Sequence, residues 1–142
     1  ELNRYLGTWY EIARFDHSFE RNLDKVSADY SLRDDGGVKV VNRGFDTKKQ
    51  KWHEAIGKAY FVEKPDIARL KVSFFGPFYG DYWVLDRAED YSWSIVGEPS
   101  GRYLWLLHRQ PNPGIATFDA MKRRAAELGY DIRLLRVTNQ PG

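Results

Sequence analysis

Histidine, aspartate and serine supply the side chains of this sequence that could carry out acid–base, nucleophilic or metal chemistry. His17, His53 and His108 are widely separated along the chain and cysteine is absent, so the spacing typical of a metal site is missing. Asp16, His17 and Ser18 have the residue types of a catalytic triad. Three consecutive loop residues rarely reach the geometry of nucleophile, base and orienting group, and no G-x-S-x-G motif accompanies them. The sequence therefore favours a binding protein over an enzyme.

The composition indicates a single globular domain with many aromatic side chains. The 142 residues carry 22 Lys and Arg against 20 Asp and Glu, and this net charge of +2 argues against a nucleic-acid footprint. Aromatic residues make up 15% of the chain, and such rings fill cores or line pockets for apolar ligands. No run of about 18 apolar residues is present that could span a membrane. Residues 1–142 are therefore expected to form one domain that binds no nucleic acid.

Short stretches of alternating apolar and polar residues, separated by turns, indicate an antiparallel sheet. Asp34–Gly37 is a strong hairpin turn. The pattern predicts eight strands near Trp9–Phe15, Val26–Leu32, Val38–Arg43, Trp52–Val62, Arg69–Phe75, Tyr79–Asp86, Tyr91–Val96 and Tyr103–Arg109. Strands that follow one another without intervening helices manage their edges best by closing into a barrel.

The apolar period changes after the eighth strand. Residues recur there at three- and four-residue steps, as on one face of a helix: Ile115, Phe118, Met121, Ala125 and Leu128. Asn112-Pro113 is expected to cap this helix and Gly129 to end it, and Ile132–Val137 can add a last strand. The barrel interior could not accept the helix's charged face. The predicted fold is therefore an all-β, eight-stranded antiparallel up-and-down β-barrel with one C-terminal α-helix packed outside and a short final strand.

Four sequence blocks, in order and at barrel spacing, carry a family resemblance. The blocks are Gly7–Phe15, Tyr30–Gly37, Lys71–Gly80 and Tyr103–Arg109, and the first opens with a Gly-x-Trp motif. Over nearly its whole length the chain resembles the lipocalins, and in particular the bacterial outer-membrane lipoprotein lipocalins, relatives of apolipoprotein D. The resemblance implies that a small set of residues is structural and closes the barrel floor: Gly7, Trp9, Asp90, Tyr91 and Arg109.

The floor residues should meet at one end of the barrel. In an up-and-down meander, the first strand starts where the sixth and eighth strands finish, so Trp9, the Asp90 turn and Arg109 should converge. An arginine stacked across the tryptophan face makes a cation–π contact, and its remaining donors can reach carbonyl oxygens of the first turn.

Strand parity assigns a set of side chains to the barrel interior, where they would contact a ligand. The predicted lining consists of Ala13, Phe15, Ala28, Tyr30, Val40, Ala59, Leu70, Val72, Phe74, Tyr82, Val84, Trp93, Ile95, Tyr103 and Trp105. An eight-stranded barrel is just wide enough for one small ligand, and the three alanines favour an open upper part. The alternative is a barrel that these rings fill. Glu11 and Asn42 would also point inward, either to orient a ligand head group or to make structural hydrogen bonds.

The end opposite Trp9 is predicted to carry an aromatic and basic rim. Phe75, Phe78 and Tyr79 flank Gly76-Pro77, and the lysines of Lys48–Lys51 lie on a neighbouring loop. Apolar rings beside cations suit a membrane surface with anionic head groups. A solvated loop with a self-packed aromatic cluster is the alternative interpretation.

The predicted function is binding, transport or storage of an amphipathic lipid, a fatty acid or lysophospholipid, with no cofactor. Bacterial relatives of this type are anchored through a lipidated N-terminal cysteine, which this chain lacks, so the expectation is a cell-envelope protein if a leader was removed and an undetermined compartment otherwise. The oligomeric state remains open between monomer and homodimer. Two alternatives are a haem or tetrapyrrole carrier, with His53 as iron ligand, and a lipocalin-fold enzyme dependent on Glu11 or a histidine.

Overall fold

The computed structural model describes residues 2–16, 22–61, 69–75, 78–98 and 100–140, with the backbone alone for residues 2, 3, 73–75, 78 and 79. Its elements in chain order are α1 (Leu2–Tyr5), β1 (Gly7–Phe15), β2 (Leu23–Leu32), β3 (Val38–Asp46), β4 (Lys51–Phe61), β5 (Arg69–Phe75), β6 (Phe78–Arg87), β7 (Trp93–Gly97), β8 (Leu104–His108), α2 (Ile115–Glu127), a 3-10 helix (Ile132–Leu134) and β9 (Leu135–Val137).

Eight antiparallel strands close into a barrel. From β2 to β8 each strand pairs with the next. The first strand, β1, closes the ring because it pairs with β8 along one edge and with the second half of β2 along the other. The last strand, β9, bonds to β1 from outside the ring. The predicted fold class, with its outer helix and short final strand, is confirmed.

Two of the differences in where a strand begins arise because non-glycine residues adopt the left-handed backbone conformation. The second strand begins at Leu23 rather than Val26, and a register shift between Asp24 and Ser27 accommodates Lys25 at a φ of 54°. The seventh strand begins after Tyr91, which has a φ of 60° and belongs to the preceding turn. Hydrophobic alternation contains no signal for such residues.

Buried side chains form two clusters on opposite faces of the barrel wall. The interior cluster contains Trp9, Ala28, Tyr30, Val38, Val40, Ala59, Leu70, Val96 and Leu107, with Tyr5, Leu6, Phe61, Val72, Tyr82, Val84 and Trp105 packed against it. The outer cluster lies between the wall and α2 and contains Ala13, Phe15, Ile95, Leu104, Leu106, Met121 and Ala125. The wall formed by β1, β7 and β8 therefore carries apolar side chains on both faces.

The helix α2 is held to the outside of the barrel by one apolar face. Met121 and Ala125 are fully buried, and burial of a methionine side chain contributes about 1.5–3 kcal/mol. The helix starts at Ile115, later than the Asn112-Pro113 cap predicts. Ile115, which was expected on the apolar face of the helix, is 80% exposed. Gly129 ends the helix at a φ of 100°, and the Tyr130 amide donates to the Ala125 carbonyl oxygen at 3.2 Å, as in a Schellman motif.

Candidate functional site

Trp9 and Arg109 meet at the end of the barrel where β1 begins, which we call the closed end. The Arg109 guanidinium carbon lies 3.8 Å from the centroid of the buried Trp9 ring. Arg109 also donates to the Thr8 oxygen at 3.0 Å and to the Arg4 oxygen at 2.7 Å. The Trp9 indole nitrogen in turn donates to the main-chain carbonyl oxygen of Tyr5 at 2.7 Å. The structure thus links the first turn, the first strand and the end of the last barrel strand through one stacked pair.

The turn between β6 and β7 completes the closed end. The Ser92 amide donates to Asp90 Oδ1 at 2.9 Å, and hydrogen bonding from Ser92 lowers the pKa of the Asp90 carboxyl. Tyr91 is buried, and the guanidinium carbons of Arg4 and Arg87 lie 4.3 and 4.0 Å from its ring centroid. Its carbonyl oxygen accepts from Arg109 Nε at 3.3 Å. All five residues predicted for the barrel floor therefore lie in one region, since Gly7 begins β1 at a φ of 100° with its α-carbon beside Arg109.

Most of the predicted ligand-lining residues lie on the inner face of the barrel. The interior cluster contains or contacts Ala28, Tyr30, Val40, Ala59, Leu70, Val72, Tyr82, Val84 and Trp105. Tyr103 stacks on Trp105, with ring centroids 5.9 Å apart and planes 5° from parallel. The side chain of Phe74 is outside the described residues, although its backbone continues β5.

Four predicted lining residues lie on the opposite face, so their predicted inward placement is wrong. Ala13, Phe15, Trp93 and Ile95 pack in or against the outer cluster beneath α2. A register shift between Glu11 and Ala13 reverses the parity of β1 after Glu11. In β7 both faces are buried, one by the interior and one by α2, so alternation could not distinguish them. Ser94 and Val96 face inward in their place, opposite Leu107 and Trp105.

Three tyrosine hydroxyls and one serine form a polar cluster inside the barrel near the closed end. Tyr82 Oη lies 2.8 Å from both Tyr5 Oη and Tyr30 Oη, and Tyr5 Oη lies 2.9 Å from Ser94 Oγ. Burial raises the pKa of Tyr5 and raises that of Tyr82 well above its ordinary value. Sequence reasoning placed Tyr30 and Tyr82 correctly and missed Tyr5 and Ser94. Tyr5 precedes the first strand, where strand parity gives no direction.

Glu11 lies on the inner side of β1, but protein partners occupy its carboxylate. Arg14 Nη1 lies 2.7 Å from Glu11 Oε2, and both side chains are buried. The Thr138 hydroxyl donates to the same carboxylate oxygen. Gln140 then joins β1 to β2, since its Nε2 donates to the main-chain carbonyl oxygens of Glu11 at 2.7 Å and Val26 at 2.9 Å. The C-terminal segment thus bridges β1 and β2 where these two strands stop pairing with each other. Asn42, the other inward polar residue of the prediction, is half-buried opposite Ala28.

The described histidines do not form a catalytic or metal centre. His53 is 47% exposed and lies 3.5 Å from Asp46 Oδ2, while His108 Nδ1 accepts from the Gln110 amide at 2.9 Å. Burial lowers the pKa of His108. Within the described ranges, no three histidine, cysteine or carboxylate side chains come together as metal ligands. His17 and Ser18, the remaining candidates, are outside those ranges.

A family model described as a lipocalin-like domain matches residues 1–140 of the sequence. The chain belongs to the lipocalin family. It is 52% identical over 143 residues to outer membrane lipoprotein Blc of Vibrio cholerae serotype O1, covering 99% of this chain and 83% of that protein. It is 31% identical over 147 residues to apolipoprotein D of Macaca fascicularis, covering 97% and 76%. The resemblance found in the sequence is confirmed in both its bacterial and its animal branch.

Solved structures support the lipocalin fold independently of sequence identity. Apocrustacyanin C2 superposes with a TM-score of 0.79 over 100% of this chain and 81% of its own, at 15% identity. Lipocalin membership and the closed barrel together support binding of a small hydrophobic ligand. The relatives belong to a family of binding proteins, in keeping with the predicted class.

The rim of this lipocalin is only partly described. The side chains of Phe75, Phe78 and Tyr79, and the whole of Gly76-Pro77, lie outside the described residues. The lysines of Lys48–Lys51 are exposed, at the end of the barrel opposite Trp9. Trp52 beside them is 59% exposed and packs edge-on to Phe45, with centroids 5.5 Å apart. Among the described residues no helix is long and apolar enough to cross a membrane.

Proposed function

We propose that this lipocalin binds an amphipathic lipid, a fatty acid or lysophospholipid, inside its barrel and carries or stores it in the bacterial cell envelope. The observation that carries the proposal is the partial solvent exposure of several side chains that face the barrel interior. Val72, Tyr82, Val84 and Trp105 pack against the interior cluster and yet remain half-buried. Protein interiors are normally close-packed, so interior side chains that keep accessible surface border an unfilled space.

The chemistry of the side chains around this space suits an acyl chain. Its walls include the aliphatic side chains of Val40, Leu70, Val72 and Val84 and the ring of Trp105. Burial of acyl carbons contributes about 0.8 kcal/mol for each CH₂ group. The affinity is therefore expected to rise about fourfold with each added CH₂ until the pocket is full.

The proposed envelope location rests on the relatives. The bacterial proteins that this chain resembles are named outer membrane lipoproteins. An exposed Trp52 next to the Lys48–Lys51 loop adds an apolar and cationic surface at the end of the barrel opposite Trp9. We propose that this surface contacts anionic lipid head groups during loading or release of the ligand.

Titration with fatty acids and lysophospholipids of increasing chain length tests the proposal. Intrinsic tryptophan fluorescence or calorimetry of the purified protein should give dissociation constants that fall with chain length and then level off. Equal affinity for all chain lengths, or no binding, would contradict lipid carriage. Native mass spectrometry of the protein as purified would report the copurified ligand and the oligomeric state together, and a Soret absorbance would favour the haem alternative.

A further inference from the structure

The hydroxyl cluster of Tyr5, Tyr30, Tyr82 and Ser94 lies deep in the barrel. Tyr5 packs against Trp9, with ring centroids 4.8 Å apart and ring planes tilted by 32°, and the Arg109 guanidinium lies over the Trp9 ring. The register of β1 and β2 places Tyr30 opposite Gly7, at the very start of the barrel. A long-chain ligand that enters from the end opposite Trp9 would therefore bring its far end to these hydroxyls.

The cluster borders the accessible interior space. Tyr5 and Tyr82 are half-buried by accessible surface, although burial raises the pKa of both phenols. Desolvated hydroxyl groups on residues that keep accessible surface are the combination expected at the wall of an internal cavity. Both phenols are protonated at neutral pH, as an ordinary tyrosine is, and burial strengthens the preference for this form, so each keeps a hydrogen atom to donate.

The direction of hydrogen bonding in the cluster is not fixed by its geometry. In each of its three hydrogen bonds either hydroxyl can be the donor. The order of donors and acceptors along the cluster can therefore reverse, so that the cluster presents a donor or an acceptor to a ligand. A terminal methyl group would use none of these groups. A hydroxyl group could both donate and accept, and a carbonyl oxygen could accept.

The charge nearby favours a neutral oxygen over a second carboxylate. The positive charge of Arg109 lowers the pKa of the Tyr5 phenol against the larger effect of burial. Its donors, however, bind the oxygens of Thr8, Arg4 and Tyr91. Because these N–H groups already bind main-chain oxygens, a buried carboxylate at the cluster would be poorly paired with Arg109, and a poorly paired buried charge is costly.

We propose that this hydroxyl cluster is a polar subsite that binds a hydroxyl or carbonyl oxygen at the far end of a long-chain ligand. The preferred lipids would then carry a neutral oxygen at the end opposite the head group, as ω-hydroxy fatty acids do. This inference rests on the proposed function, because it names the class of lipid that the same pocket selects.

The test compares ω-hydroxy fatty acids with unsubstituted fatty acids one carbon longer, in which a methyl group replaces the hydroxyl. Pairs from ω-hydroxydecanoic to ω-hydroxyoctadecanoic acid are titrated against the purified protein. At the length that reaches the cluster, the wild-type protein should bind the hydroxy acid at least as tightly as its methyl partner. The matching dicarboxylic acid should bind more weakly than both.

Variants assign the preference to the cluster. In Tyr82→Phe the ratio of the two affinities should shift by about tenfold towards the methyl partner, since one hydrogen bond is worth about 1–1.5 kcal/mol. Tyr5→Phe should shift it in the same direction. Tyr60→Phe is the matched control, because Tyr60 lies on β4 next to inward-facing Ala59 and its hydroxyl bonds to Asp35 outside the barrel.

The outcomes separate the subsite from lipid carriage. If both series bind but the methyl partner binds more tightly than its hydroxy acid at every length, the subsite is refuted and lipid carriage stands. A ratio unchanged in Tyr82→Phe and Tyr5→Phe would also refute the subsite. If neither series binds to the wild-type protein, the proposed function itself is contradicted.

Discussion

The guanidinium of Arg14 lies 2.7 Å from the carboxylate of Glu11, and neither side chain reaches solvent. Thr138 and Gln140 bond to Glu11 from the C-terminal segment, and Arg14 Nη1 donates to the Leu23 oxygen at 3.0 Å. The pair therefore lies where β1, β2 and the chain terminus meet, and it joins three elements that the barrel ladder alone does not connect there.

Removal of one charge from this pair should destabilise the protein strongly. Glu11→Gln keeps the shape of the side chain but leaves Arg14 buried without this counter-charge, so the free energy of unfolding should fall by about 3–5 kcal/mol. Urea denaturation at neutral pH measures the change. The control is Glu54→Gln, which breaks the exposed Arg43–Glu54 pair of the same 2.7 Å length and should cost at most about 1 kcal/mol. Equal losses in the two variants would refute a special role for the buried pair.

The contact between Arg109 and Trp9 should stabilise the closed end of the barrel. Arg109→Met keeps a long apolar stem but loses the cation–π contact and the hydrogen bonds to main-chain oxygens, so the free energy of unfolding should fall by about 2–4 kcal/mol. Arg133→Met, at an exposed arginine paired with Asp131, should leave the denaturation midpoint close to that of the wild type. A wild-type midpoint for Arg109→Met would show that the stacked pair is dispensable.

The closed end was predictable because its residues follow from connectivity. Once eight strands alternate up and down, the start of β1 must meet the ends of β6 and β8, and Trp9, Asp90 and Arg109 fall there whatever the details of each strand. The helix was likewise readable, since Phe118, Met121 and Ala125 repeat at helical spacing and Gly129 provides the left-handed residue that ends it.

The inner face was harder to predict, because strand parity can be broken or hidden. The register shift after Glu11 turned Ala13 and Phe15 outward, and no residue type in that stretch predicts such a shift. Trp93 and Ile95 were misplaced for a different reason, since α2 buries the outer face of β7 and both faces become apolar. Tyr5 was missed because it belongs to α1, which precedes the first strand, so strand parity does not assign a direction to its side chain.

The hairpin between β2 and β3 should lose stability in acid through Asp35. The Gly37 amide donates to Asp35 Oδ1 at 2.9 Å, and together with Arg33 it lowers the pKa of this carboxyl from 3.8 to about 2. A carboxyl with a depressed pKa in the folded state stabilises it above about pH 3.8, and this contribution is lost as the pH falls towards 2. Asp35→Asn should flatten the stability curve between these values. If the wild-type and variant curves remain parallel across that window, the carboxylate has no such role.

The surface around Trp52 should bind anionic membranes. Trp52→Ser combined with Lys51→Gln removes one exposed ring and one cation, and a basic residue near an anionic surface is worth about 1 kcal/mol. Partitioning into phosphatidylglycerol vesicles should therefore fall by at least about fivefold, and wild-type binding should weaken as salt rises. Ile115→Ser with Arg123→Gln is the control, because it makes the same type of change on α2. Equal loss in both double variants would exclude a localised docking surface.

The corrected inner face predicts which tryptophan reports a ligand. Trp105 packs against the interior cluster, whereas Trp93 packs against the outer cluster beneath α2. The change in fluorescence on adding a fatty acid should therefore become much smaller in Trp105→Phe, where Trp9 is the interior tryptophan that remains, and should persist at full size in Trp93→Phe. Calorimetry run in parallel must show that both variants still bind, so that the optical result reports position and not lost affinity. A signal that disappears only in Trp93→Phe would mean that the ligand lies outside the barrel, beneath the helix, and both the assigned inner face and lipid carriage in the barrel would have to be abandoned.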